Sequence, residues 1–175
     1  MHMAFLDLEK AYDSVLRKLI WKTVSDKGTP VRYIKVIRDM YEGAKTCVRT
    51  PVGNTEYFPV EVGLHQGSAI SPYLFALILD EISRGIQDSI PRCLIFDDIV
   101  LVSETAEGLS GRLEQWREAL EDKGLRVSRE KTEYLRCDFK RDVNVQNEEA
   151  AIRLRVHIQQ PKESFRYLGS VIYKS

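Results

Sequence analysis

The chain offers little that would assign it to a compartment or a partner at sight. Net charge is missing: 26 Lys and Arg balance 26 Asp and Glu over 175 residues. No bulk electrostatic pull therefore draws the protein to nucleic acid, and any such role needs a local groove. Cysteine is scarce, with only Cys47, Cys93 and Cys137. Their odd number and wide spacing exclude a closed disulfide framework and a zinc site. Cys93 and Cys137 lie in apolar, strand-like runs, as reduced core thiols do. No apolar run is long enough to span a membrane, and the opening MHMAFLDLEK has no secretory design. An intracellular protein, nuclear or cytoplasmic and without a membrane partner, is expected. Repeats and low-complexity tracts are also absent. What is there is a 43% hydrophobic chain, enough for one core, so a single globular domain over residues 1–175 is expected.

The apolar run at Met3, Ala4, Phe5 and Leu6 reads as the end of a strand, with Asp7 directly after it. A helix is predicted from Asp13 or Ser14, with apolar positions Val15, Leu16, Leu19, Ile20, Thr23 and Val24, ending at Gly28. Thr29-Pro30 opens a second helix carrying Ile34, Ile37 and Tyr41. Residues 46–50 and 55–58 form two strands around a glycine turn. A small-residue loop at 63–70 leads into a strongly apolar helix over 73–86, with Ser71 as cap and Pro72 at its first position. Thr105 caps a helix with Leu109, Leu113, Trp116 and Leu120 on one face, stopped by Gly124. Strands follow at 125–128 and 132–135 around Arg129-Glu130-Lys131. Residues 139–161 are weakly patterned and polar, an irregular excursion, and 165–172 make a strand and a glycine turn. Strands, hairpins and two-sided helices in this order indicate an α+β fold with helices packed on an antiparallel sheet.

Chemistry concentrates at residues 93–102, CLIFDDIVLV, a buried hairpin whose turn holds Asp97 and Asp98. Asp is an ordinary turn residue. Two adjacent anions with little water nevertheless call for a bound cation. Asp7 is available as a third acid. In the loop at 63–70, glycines let backbone approach a flat ligand and Gln66 can hydrogen-bond one. A plain helix-entry loop would look the same. His65 reads as a loop residue, since no second His lies at ligand spacing.

Five segments, FLDLEKAYDSV, GLHQGSAISPYLFALILDEI, CLIFDDIVLV, GLRVSREKTEYL and FRYLGSVI, resemble, in order, the palm motifs of a reverse transcriptase. The likeness is closest to non-LTR, LINE-type retrotransposons. The resemblance implies an RNA-directed DNA polymerase, with metal-dependent nucleotidyl transfer from a dNTP to a primer 3′-hydroxyl. It implies two Mg²⁺ (or Mn²⁺) ions about 4 Å apart on Asp7, Asp97 and Asp98, completed by dNTP phosphates. It makes Tyr12 an aromatic gate against a ribose 2′-hydroxyl, although a core aromatic fits as well. Gln66 and Gly67 resemble the loop that lies against nucleotide and template, and Lys131 resembles a general-acid lysine, although an exposed turn lysine fits as well. Phe165, Tyr167, Leu168 and Gly169 resemble the primer grip. The implied partners are an RNA template, a DNA primer and dNTPs.

The chain departs from the family where Phe96 runs straight into Asp97, without the usual small residue between aromatic and acid pair. A one-residue deletion either inverts the strand before the turn or pinches the turn. An alternative alignment makes Asp98 the first metal acid and leaves Ile99 in place of the second. Leu16 stands where the family often has Pro, and Ser128 where it often has Asn. The expectation is a truncated palm without fingers and thumb, inactive alone. It would expose apolar surface near Met3–Leu6 and Val171-Ile172 through which it could self-associate. A rival is a non-catalytic palm remnant that only binds nucleic acid or protein. A nucleotide cyclase on a similar fold is disfavoured by the Gln66-Gly67 loop and the primer-grip strand.

Overall fold

The first strand is set by an apolar run that alternates toward two covered faces. In the computed structural model, which describes residues 1–86, 93–95, 99–137, 151–154, 157–159, 161–167 and 170–173, it is β1 (His2–Glu9). The strand does not end before Asp7; the acid lies inside it. In chain order there follow α1 (Ala11–Ser14), α2 (Arg17–Asp26) and α3 (Val31–Tyr41). Next come β2 (Lys45–Thr46), β3 (Arg49–Thr50), β4 (Gly53–Asn54), β5 (Phe58–Pro59) and α4 (Ser71–Ser83). Then β6 (Cys93–Ile95), β7 (Ile99–Ser103), α5 (Ala106–Asp122) and β8 (Arg126–Arg136) complete the central part. β9 (Ile152–Leu154), β10 (His157–Gln159), β11 (Ser164–Tyr167) and β12 (Ser170–Tyr173) close the chain. Two compact units result, one of Met1–Glu9 with Ser83–Ser175, the other of Lys10–Ile82.

In the first unit a four-stranded antiparallel sheet has the order β6-β7-β1-β8. β1 is therefore central and paired on both edges. Phe5, Val100, Leu135 and Cys137 cluster on one face with Met3 and Val102 packed against them. Ala4 and Leu6, which alternate with them along the strand, are fully buried. This corrects the expectation of exposed apolar surface at Met3–Leu6: neighbouring strands and α5 cover the run. Val171, by contrast, is exposed as expected. α5 matches its sequence pattern. Thr105 Oγ1 accepts from Gly108 N at 3.0 Å, a standard cap, and Leu109, Leu113, Trp116 and Leu120 are buried. Buried Arg117 on the same helix bonds Glu114 at 2.6 Å and also Glu121. Those carboxylates, Glu114 foremost, raise its pKa further.

Three sequence expectations change. The two strands expected at 125–128 and 132–135 are instead the single strand β8 (Arg126–Arg136), which carries a bulge. Its pairing with β1 jumps from Asp7↔Ser128 to Phe5↔Glu133, so residues 129–132 bulge opposite Leu6. The excursion at 139–161 includes a paired hairpin, β9 with β10, while residues 138–150 lie outside the described residues. The first helix is not continuous from Asp13, because Val15 (ψ 122°) and Leu16 (ψ 120°) are extended and separate α1 from α2.

In the second unit α2 and α3 are in contact, and Ile20, Val24, Ile37 and Tyr41 on them are buried. The expected hairpin at 46–58 is present in interrupted form, as β2 with β5 and β3 with β4. Tyr33, Val36 and Met40 leave an exposed apolar row on α3. Among the described residues no helix is long and apolar enough to cross a membrane.

Candidate functional site

Asp7 is seated by register. Leu6 faces Ile99 on β7, and Asp7 faces Ser128 on β8. Its carboxylate is only partly shielded, yet Oδ2 has no solvent contact and no hydrogen-bond partner among the described residues. The nearest cation is Lys131 Nζ, 3.7 Å away on a mostly exposed side chain. The β8 bulge brings it there: Lys131 N donates to Ser128 Oγ at 3.4 Å, and Thr132 Oγ1 donates to Ser128 O at 2.5 Å. An exposed ion pair of this length contributes little. An acceptor-only oxygen without a donor is therefore left, and hard divalent cations bind that kind of group.

Asp97 and Asp98 lie outside the described residues, as do Leu168 and Gly169. What frames the two acids is described. β6 and β7 pair antiparallel with Ile95↔Ile99 in register, so the two expected strands are adjacent. The described residues hold no group of three or more potential metal ligands. Phe165 and Tyr167 are placed by backbone pairing alone, as Phe165↔Ile172 and Tyr167↔Ser170.

In the second unit, Tyr12, Gln66 and Gly67 come together. With Ser68, Ser71 and Pro72 they line an open cleft of about 520 Å³. The construction begins at Lys10, whose left-handed backbone (φ 45°) turns the chain into α1. The segment then zips against the loop: Leu64 N donates to Tyr12 O at 2.7 Å and Gly63 N to Val15 O at 2.8 Å. Gly63 is required here. Its φ is +85°, and a Cβ would sit 3.0 Å from the Asp13 backbone. Gln66 Nε2 donates to Asp13 Oδ1 at 2.7 Å. Gly67 turns the chain at φ +81° with open space around it, and Ser71 Oγ donates to His65 O at 2.6 Å where α4 begins. α4 thus starts at Ser71 itself.

Tyr12 is half-buried. One face of the ring stacks on Phe75, at 4.8 Å and 26°, and the side chain still lines the cleft. His65 stacks on Tyr41 at 4.2 Å, as a loop residue would. Sequence reading missed Asp13 as the partner of Gln66 and Phe75 as the platform for Tyr12. Neither leaves a local signal, since each partner lies more than fifty residues away in the chain.

Comparison with known proteins gives a consistent result. Residues 1–172 match the family described as reverse transcriptase (RNA-dependent DNA polymerase). The retrovirus-related Pol polyprotein of the type-2 retrotransposable element R2DM of Drosophila melanogaster is 31% identical over 139 residues, 74% of this chain and 13% of that protein. The corresponding R2 polyprotein of Nasonia vitripennis is 28% identical over 136 residues, 73% of this chain and 13% of that one. The chain thus spans about an eighth of the curated relatives it matches. Among solved structures, Candida albicans telomerase in complex with a fragment of telomeric RNA superposes with a TM-score of 0.66 at 14% identity, over 99% of this chain and 29% of that one. That likeness concerns the fold alone. With its ordered motifs, its antiparallel sheet and a family match over nearly its whole length, the chain belongs to the reverse transcriptase family.

Proposed function

We propose that this chain is the palm of an RNA-directed DNA polymerase and carries the residues for metal-dependent nucleotidyl transfer from a dNTP to a primer 3′-hydroxyl on an RNA template. The observation that carries the reading is the register of β1 with β7. It runs to Leu6↔Ile99, the residues directly next to Asp7 and Asp98 in sequence. The orphaned Asp7 Oδ2 fits a hard cation, and Asp7, Asp97 and Asp98 would hold two Mg²⁺ ions. When bound, those ions activate a hydroxyl nucleophile and stabilise a leaving pyrophosphate.

The chain's own side chains supply the rest. Lys131 would give a proton to a departing phosphate oxygen, a reading supported by its distance of 3.7 Å from Asp7. In the cleft of the second unit, Gln66, oriented by Asp13, and Gly67 contact nucleotide and template. Tyr12, braced by Phe75, fills the space that a 2′-hydroxyl would need. Phe165, Tyr167, Leu168 and Gly169 position the primer end. The test is binding of dTTP against UTP in Mn²⁺, followed at the backbone amide of Gly67. The deoxynucleotide should bind more tightly, and Tyr12→Val should shrink the difference. Equal binding of both nucleotides to the unaltered chain would refute the gate.

A further inference from the structure

Arg17, at the start of α2, is only half used. Its Nη1 donates to the Tyr41 carbonyl at 3.0 Å, and its guanidinium lies over the Tyr41 ring, 5.1 Å from the centroid. Nε and Nη2 are shut from solvent and have no hydrogen-bond partner among the described residues. These two N–H groups form one edge of the guanidinium. Its parallel donors match two oxygens of a phosphate or carboxylate. Buried donors are normally paired, so this edge lacks an acceptor.

The surroundings indicate which acceptor. Arg17 lines an open cleft of about 490 Å³ with Trp21, Arg38, Tyr41 and Glu42. Arg38 lies over Trp21 at 5.7 Å, and Trp21 meets Tyr41 edge-on at 5.7 Å. The lining holds two guanidinium groups and one carboxylate, a local positive excess in a chain with no net charge. Arg38 and Glu42 are exposed and can swing without disturbing either helix.

We propose that this cleft is a second nucleic-acid site, one that takes a backbone phosphodiester of a single strand. With the exposed Arg38 and Glu42 swung aside, the free edge of Arg17 clamps two non-bridging oxygens, and Arg38 pairs with a neighbouring phosphate. The partly exposed Trp21 ring accepts an adjacent base, Tyr41 being buried beneath. Cationic side chains beside aromatic rings are the usual means of holding a single strand. Glu42 is the built-in competitor for the same donors. The site is independent of Asp7, so its failure would leave the polymerase reading standing, and the converse holds too.

The test follows the Arg17 Nε–H and Trp21 indole N–H resonances in the ¹⁵N-labelled chain. The titrants are inorganic phosphate, a five-nucleotide oligouridylate and a poly-glutamate peptide, at equal ionic strength. The oligonucleotide should shift both signals saturably, at least about tenfold more tightly than phosphate or peptide. Arg17→Lys, which keeps the charge but loses the paired donors, should weaken it about tenfold. Arg38→Ala should weaken it about threefold, and Glu42→Gln should tighten it by about as much. These two exposed positions carry the test should Arg17→Lys disturb folding. Unmoved signals, oligonucleotide binding indifferent to all three substitutions, or phosphate or peptide binding as tightly as the oligonucleotide would each overturn the proposal.

Discussion

Asp7 and Gln66 are held by opposite devices. Asp7 sits in a strand paired on both edges, directly after the fully buried Leu6. Gln66 is exposed on a loop whose course depends on two positive-φ glycines and a few hydrogen bonds. The first position is fixed by register and core packing, which tolerate little. The second is fixed by backbone stereochemistry and can adjust. The proposed function would draw on both, on a fixed position for Asp7 and on a loop at Gln66 that can adjust to a ligand.

The sharpest contrast is in stability. Leu6→Ala removes a side chain with no exposure and should cost about 2–5 kcal/mol by urea denaturation. Gln66→Ala, on an exposed side chain, should stay within about 0.5 kcal/mol. Equal losses would dissolve the distinction. Within the loop the two glycines should differ. Gly63→Ala combines positive φ with a Cβ 3.0 Å from the Asp13 backbone, for about 2–4 kcal/mol. Gly67→Ala meets open space and should cost only the φ strain, about 1–2 kcal/mol.

These contrasts also explain what could be read in advance. α5 was legible because its cap, its apolar spacing and its stop are all local. The adjacent strands β6 and β7 were legible because two apolar runs flank an acid pair. The break at Val15-Leu16 was not. Apolar periodicity runs straight through it, and the extended backbone is held there by the distant Gly63, whose N–H bonds Val15 O. The β8 bulge hid for a similar reason. Arg129-Glu130-Lys131 reads as a turn, and only the continued pairing of β1 on both sides of it makes it a bulge. The Gln66–Asp13 contact spans 53 residues, beyond any local pattern. Asp7, Asp97 and Asp98 were singled out by motif, and of the three only Asp7 lies among the described residues.

Smaller effects refine the picture. Thr105→Ala should cost about 1 kcal/mol through the lost cap, a change confined to the unit that holds β1 and checked by thermal unfolding. Leu16→Pro should stabilise by about 0.4–1 kcal/mol. Leu16 already has φ −71° and follows an extended Val15, which is the backbone a proline requires. A loss of stability there would show that the break between α1 and α2 is less extended than described.

The most direct measurement is Mn²⁺ titration of the ¹⁵N-labelled chain, followed by paramagnetic broadening of backbone amides. Leu6, Leu8 and Ile99 should broaden first, and Asp7→Asn should abolish that selectivity while leaving the fold intact. Identical broadening in the unaltered chain and in Asp7→Asn would show that Asp7 holds no metal, and the reading of this sheet as a polymerase metal centre would be wrong.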